Sequence, residues 1–577
     1  MLRRRVISAL LLTAFLLPTA ALAQSKPIYT APKDVIDKIK EEGTKNSQVM
    51  QTLSYLTDVI GGRLTNSPNM KRANEWTRDQ MAKWGMENAK IIAWGPFGRG
   101  WELKRFSAQV SSPQSFPVIA YPKAWSPGLD KVIPQPTPDP KAAKKSKTPP
   151  APVEPVTKLT ADVVYLDIQN DADFAKYKGQ LKGKIVLVSG VRDLKADFQG
   201  FGTRMTDSEL LAMADAPNPA MIQRAPQGGQ QQNPQAVSRF MERFVQAAKR
   251  MNFLMEEGAA MIVDNSNNGS GGTIFVSGAS VAQDIPANPQ EAFGQRRLQA
   301  YQKEAEAKML PQMTMATEDY NRLARMIKQG EKVQMTVDLA VQYHDEDLMG
   351  YNTTAEIPGT DLKDELVMLG GHLDSWHSGT GATDNAAGCA VAMEAARILM
   401  ALGLKPRRTI RVGLWSGEEQ GLLGSREYVK QNFGEMQGGG GNFGGGGGGT
   451  LVKGADYDKL SAYYNLDNGT GKIRGVYMQG NDKVAPIFRQ WLMPFKDMGA
   501  STLTANNTGG TDHLSFDRIG LPGFQFIQDE IEYDTRTHHS NQDVYDRMQA
   551  DDMRQAAIIM AAFVYQTAMM DEKMPRK

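Results

Sequence analysis

From residue 365 onward, short apolar runs take turns with helix-patterned stretches. ELVMLGG precedes NAAGCAVAMEAARILMAL, TIRVGLWS precedes QGLLGSREYVKQN, and SAYYNLD and PGFQFIQ follow as two further strand-like runs. Strands that alternate with amphipathic or buried helices must cover both faces of a sheet, so this pattern predicts an α/β fold, a mixed sheet flanked by helices, and argues against a helical bundle. The same architecture says where polar chemistry gathers, because loops leaving the carboxyl ends of such strands open into one crevice. The rare residue types lie in those loops: five of the six histidines fall between His372 and His539. The single cysteine, Cys389, excludes an intramolecular disulfide and a thiolate-rich metal site, so any metal here leans on carboxylates. Its place in NAAGCAVAME reads as packing. With 66 basic and 64 acidic residues the net charge is +2, which gives no reason to expect nucleic acid or an anionic membrane as a partner.

Five segments carry candidate chemistry. In VMLGGHLDS, His372 can offer a nitrogen to a metal while Asp374 orients the ring; a capped loop with a satisfied histidine is the bland alternative. In GATDNAAG, Asp384 and Asn385 stand just before a helical pattern. In LWSGEEQG, two adjacent carboxylates, Glu418 and Glu419, can divide labour between holding a metal and reaching a water, or can be solvated acids at a helix start. Asp467 follows SAYYNL, and His539 follows the turn-rich EYDTRTH segment. The order H, D, E, D, H across successive crossovers is more telling than any one member.

These pieces, GGHLDS, GATDNAAG, SGEEQG, YNLDNG and HHSNQD, resemble the M28 aminopeptidases, a metallopeptidase family with two co-catalytic zinc ions per subunit. The resemblance implies that Asp384 bridges the ions, that His372 and Asp467 complete one set of protein ligands, and that Glu419 and His539 complete the other. It makes Glu418 the general base toward a zinc-bridging water, puts Asp374 behind His372, and implies a cis peptide between Asp384 and Asn385. His538 takes the place of an oxyanion-stabilising residue, often tyrosine in relatives, or else a supporting or surface role. Asp512 and His513, with Ser515 and Asp517 nearby, resemble a cleft-facing segment for substrate. His377 and Trp376 suit the cleft entrance, and His344 an ordinary surface position. The implied activity is cleavage of short peptides at the N-terminal bond. A carboxypeptidase or dipeptidase of the same fold and an inactive peptide-binding protein are the alternatives, and a homodimer or a monomer is compatible with the resemblance.

Upstream, GKIVLVSG and AAMIVDNS resemble an inserted β-rich protease-associated domain, and 50–125 resembles the plasma glutamate carboxypeptidase-like branch. The expected organisation is a signal peptide at 1–23 and an N-terminal part of the peptidase domain at 24–125. A Pro/Lys-rich linker or loop at 126–159, the inserted domain at 160–342 and the main catalytic part at 343–577 follow, the last carrying a Gly-rich loop at 438–449. Arg3 to Arg5, an apolar stretch and Ala21-Leu22-Ala23 make the leader, which predicts a periplasmic or secreted protein with no stable transmembrane segment after cleavage. Within the inserted stretch GTIFVSG, at 272–278, is expected to be another strand.

Overall fold

The computed structural model describes residues 27–135, 154–219, 234–285, 297–438 and 449–577. The leader, most of the Pro/Lys-rich stretch and nearly all of the Gly-rich run lie outside the described residues. In chain order the strands are β1 (Glu87–Pro96), β2 (Gly100–Ser112), β3 (Phe116–Pro117), β4 (Ala120–Pro122), β5 (Lys158–Tyr165) and β6 (Ile185–Leu187). Next come β7 (Met261–Asn265), β8 (Gln312–Met315), β9 (Gln334–His344), β10 (Met349–Ile357), β11 (Leu362–His372) and β12 (Arg408–Trp415). The last six are β13 (Gly434–Gln437), β14 (Thr450–Lys453), β15 (Leu460–Asn465), β16 (Ile473–Tyr477), β17 (Thr502–Thr504) and β18 (Gly523–Gln528).

One eight-stranded mixed sheet runs β1-β10-β12-β11-β15-β18-β16-β17. Its middle, β12-β11-β15-β18, is parallel throughout, which puts the carboxyl ends of four neighbouring strands along one edge. Alternation along β11 shows why it sits in the centre. Val367 and Leu369 enter the core made with the helices Ala387–Ala401 and Ala550–Met569, while Leu366 and Met368 enter the opposite core with Tyr428, Phe433 and Phe516. A strand buried on both faces reads as a continuous apolar run, as ELVMLGG does. The helix Ala387–Ala401 is buried from Ala387 through Leu399. Its two charged residues are paired, Arg397 Nε to Glu394 Oε2 at 2.7 Å, with Glu42 at 2.8 Å from Arg397 Nη1, which is what keeps buried charge tolerable.

The glycine pair in LGGH is a packing requirement. A Cβ on Gly370 would stand 1.8 Å from the carbonyl oxygen of Gly413 on β12. Because the obstacle is backbone in a neighbouring strand, Gly370→Ala is expected to cost about 3 kcal/mol or more, read as a fall in the chemical-denaturation midpoint at unchanged slope. A variant as stable as the wild type would contradict this packing.

A second eight-stranded sheet runs β3-β2-β9-β5-β6-β7-β8-β4, covered by the helix Thr317–Lys328 through Tyr320, Leu323 and Ala324. Its strands come from 100–122 as well as from 158–344, a wider span than the 160–342 read as an inserted domain. The Pro/Lys-rich stretch is likewise shorter than 126–159. Ser126 and Leu129 are fully buried, and the Gln135 side chain clips both backbone groups of Val156, at 2.8 and 3.2 Å. GTIFVSG is not a strand. It makes single bridges, Gly278 to Ala124 and Phe275 to Ser540, because it crosses between the two sheets and no one neighbour runs beside it long enough for a ladder. β13 and β14 pair antiparallel from Gly434↔Lys453 to Gln437↔Thr450, so they flank the Gly-rich run as a hairpin. No helix among the described residues is long and apolar enough to cross a membrane.

Candidate metal centre

Each ligand candidate hangs from the same edge of the first sheet. β11 ends on His372, level with Trp415 at the end of β12; three and four residues past Trp415 stand Glu418 and Glu419. Gly370 of β11 is level with Asn465, the last residue of β15, and Asp467 lies two residues beyond. Asn465 is in turn level with Gln525 of β18, whose continuation returns as the Tyr533–Thr537 turn and His539. Parallel pairing therefore converts four distant sequence segments into one cluster.

Two groups of ligand atoms share Asp384: His372, Asp384 and Asp467 form one, and Asp384, His538 and His539 the other, with the atoms of each group within 4.8 Å of one another. His372 Nε2 is 3.1 Å from Asp384 Oδ1 and 3.4 Å from Asp467 Oδ2. His539 Nε2 is 3.2 Å from Asp384 Oδ2 and 2.9 Å from Glu419 Oε2. His538 Nε2 stands farther back, 3.8 Å from Asp384 Oδ2, and its ring stacks on Tyr533 with centroids 4.6 Å apart. His539 adopts φ 61°, a left-handed conformation costing a side-chain-bearing residue roughly 1 kcal/mol or more. The Asp384–Asn385 peptide is cis.

The residues fit a pair of cations. His372 Nε2, Asp384 Oδ2, Glu419 Oε1 and Asp467 Oδ1 are buried without a hydrogen-bond partner. Left so, each would cost on the order of 1–3 kcal/mol. An imidazole and carboxylate donor set without thiolate suits zinc. His372 Nδ1 lies 3.0 Å from the Asp374 carbonyl oxygen, a contact that assigns the proton to Nδ1 and leaves the Nε2 lone pair facing Asp384 and Asp467.

Crowded negative charge dominates the electrostatics. Burial above all, then Asp467, Asp512 and Glu419 against His372, push the Glu418 carboxyl well above its ordinary range. Burial and Asp384 push Glu419 up to about 7. Burial opposes a charged His539, yet Glu419 and Asp384 outweigh it and lift the imidazole to about 11. Asp384 resists the same burial and stays well below the carboxylate range because His372 and His539 hold its charge. The three carboxylate shifts and the lifted imidazole all describe a cluster short of positive charge.

Supporting residues brace the cluster. Asp374 is fully buried; besides sitting behind His372 it accepts from Thr65 Oγ1 at 2.9 Å and from the amides of Glu418 and Glu419 at 3.3 and 3.4 Å. Asp543 accepts from the amides of Thr383 and Asp384 at 2.5 and 3.2 Å, which sets the turn that presents Asp384. Arg63 is fully buried and donates to the carbonyls of Leu373, Thr380 and Gly381 at 2.6 to 2.8 Å. Sequence reasoning missed Arg63, Thr65 and Asp543. Their only signals were polar residues inside GGRLTNSP and the final Asp of HHSNQD.

The cluster lines a cleft of about 1390 Å³, large for a small-molecule pocket. Asp384, Glu418, Glu419, Asp467, His538 and His539 line it, as do Trp125, Gly278, Tyr301 and Trp376. Asp512 and His513, grouped by sequence with substrate, are instead fully buried and do not line the cleft. The short helix that they begin turns Leu514, Ser515, Asp517 and Arg518 to the cavity instead. Burial pushes Asp512 up to about 7 and His513 down to about 4. His377 is no cleft residue either: its Nε2 meets the Pro122 carbonyl at 2.7 Å, and its ring packs edge-on to Trp101. Trp376 does line the cleft, and His344 sits partly exposed 3.4 Å from Glu102. The Cys389 thiol, fully buried, donates to the His372 carbonyl at 3.0 Å and so packs under the centre.

The chain is 31% identical over 268 residues to mouse Carboxypeptidase Q, covering 46% of this chain and 52% of that protein. To Leupeptin-inactivating enzyme 1 of Streptomyces exfoliatus it is 30% identical over 175 residues, or 30% and 34% of the two chains. It spans about half the length of the curated carboxypeptidases that it matches. A crystal structure of a Peptidase M28 precursor from Shewanella amazonensis superposes with a TM-score of 0.58 over 94% of this chain and 98% of its own, at 20% identity, and so shares the fold. Residues 352–564, which hold every candidate metal ligand, match the family model described as Peptidase family M28.

Proposed function

We propose that this protein is a two-zinc exopeptidase of short peptides. The observation that carries the reading is the set of four buried, hydrogen-bond-less ligand atoms converging on Asp384 in an open cleft. His372, Asp384 and Asp467 would hold one ion and Asp384, Glu419 and His539 the other, with His538 alongside. Zinc bound there supplies Lewis acidity toward a scissile carbonyl and a more acidic attacking water. Glu418 lines the cleft, and its raised carboxyl suits a group that takes the water's proton and passes it to the leaving amine. Asp374 keeps His372 and the Glu418 backbone in register for that transfer. The leader-like start supports export, and the aromatic wall of Trp125, Tyr301 and Trp376 narrows the cleft toward flexible, short substrates.

Similarity over the catalytic half to carboxypeptidases favours cleavage beside a free C-terminus, or of dipeptides, over the N-terminal direction that sequence suggests. A panel of zinc-loaded assays decides between them. C-terminal amidation is expected to abolish turnover while N-acetylation is tolerated; a dipeptidase loses activity to both blocks. The reverse pattern establishes an aminopeptidase, and a protein that binds no zinc on reconstitution is a peptide-binding protein instead.

A further inference from the structure

Besides the acidic ligands, the cleft is lined by two arginines, Arg426 and Arg518, the only Lys or Arg side chains among the described lining residues. They come from adjoining elements. Arg426 belongs to the helix Leu423–Asn432, and Arg518 caps the helix His513–Asp517. The hydroxyls of Ser425 and Ser515 lie 2.8 Å apart and fasten the two helices beside the arginines. Arg426 Nη1 reaches back to the Gly421 carbonyl at 3.5 Å. Gly421 follows Glu419 by two residues, at most about 7 Å along the chain, so the guanidinium flanks the segment that carries the proposed base and ligand.

Arg426 stands unfavourably without an anion. Burial and the like charge of Arg518 both hold the Arg426 guanidinium below its ordinary range, and Arg426 forms no ion pair with a carboxylate among the described residues. The nearest lining acid in sequence, Asp517, is engaged by Lys577 at 2.5 Å. Next to Glu419 in sequence, Gln420 lines the same cleft, with both polar atoms of its amide buried and without a partner.

The geometry points to Arg426 and Arg518 as a carboxylate subsite that anchors the substrate while its peptide bond lies at the metal centre. Guanidiniums bind carboxylates through paired, charge-assisted hydrogen bonds, which give direction as well as attraction. The carboxylate comes from the chain terminus or from an acidic side chain; the subsite chemistry is the same. This rests on the exopeptidase reading for its consequence, and on the cleft geometry for its existence.

The test compares wild type with Arg426→Gln/Arg518→Gln and with Arg426→Lys, each checked for wild-type zinc content and thermal midpoint. Ala-Ala offers a terminal carboxylate, Ala-Glu-NH2 a side-chain carboxylate, and Ala-Ala-NH2 neither. The double variant is expected to lose about 100-fold in kcat/KM on whichever carboxylate substrate the wild type prefers, mainly through KM, while Ala-Ala-NH2 changes little; Arg426→Lys recovers part of the loss. Calorimetric binding of N-acetylglycine against N-acetylglycinamide gives a second reading without turnover. If the wild type hydrolyses nothing, the peptidase reading fails, and the subsite stands or falls on whether the double variant loses N-acetylglycine binding. A wild type indifferent to the carboxylate, or a folded double variant that keeps the wild-type preference or its N-acetylglycine affinity, overturns the subsite.

Discussion

Glu418→Gln is expected to lower kcat about 10³-fold with KM and zinc content near wild type. The substitution keeps the shape and removes the site that accepts a proton, and general-base catalysis of this kind contributes about 10²–10⁴-fold. Its environment is what makes Glu418 suitable. A carboxylate pushed well above its ordinary range by burial holds a proton more readily than a solvated one, so the same group that takes a proton from water can deliver it to the departing amine. Glu418 also stands apart from the shortest contacts: its Oε2 is 4.0 Å from His372 Nε2, against 3.1 Å for Asp384. Turnover within about threefold of wild type, with zinc retained, would remove Glu418 from the chemistry.

Asp384→Ala is expected to have the largest effect on metal content. Asp384 is the member common to both ligand groups. Removing it takes a donor from each set and leaves His372 and His539 facing an emptied centre, so zinc measured by elemental analysis is expected to fall from two ions per chain to fewer than one. Activity follows the metal. The thermal midpoint should fall too, and the stabilisation by zinc expected of the wild type should shrink, because a ligand binding only the folded state at about 1,000 times its Kd contributes about 4 kcal/mol. Chelation of the wild type should reproduce the loss of activity, and added zinc should restore it there but not in Asp384→Ala. Two ions bound by Asp384→Ala at wild-type affinity would contradict the shared-ligand arrangement.

The legible part of the site was the part written locally. His372 stands where an apolar run stops, Asp384 where a helical pattern starts, and Glu418 and Glu419 just after the next strand. Each polar residue was thus tied to a strand end by a few residues of chain, and parallel pairing of β12, β11, β15 and β18 did the rest. What failed to show were partners that only packing brings near. Arg63 meets the Leu373 carbonyl across 310 residues of sequence, and Thr65 meets Asp374 across 309. Asp512 and His513 misled for the opposite reason: they are neighbours of cleft residues in sequence, but a short helix turns them into the core and sends Ser515 and Arg518 to the surface of the cavity. GTIFVSG had the composition of a strand without a neighbour to pair with.

By itself, the sequence determined the α/β class of the catalytic half and put the candidate polar residues at strand ends, since hydrophobic period and strand-end position are properties of short segments; the ligand set came from the family resemblance. Tertiary structure alone decided which distant groups brace those ligands and how wide the second sheet is. It also decided that His538 joins His539 beside Asp384 and that Arg426 and Arg518, far apart in sequence, line the same cleft. These are contacts between segments far apart in the chain, and their distances depend on how whole sheets and helices pack, which no local pattern encodes.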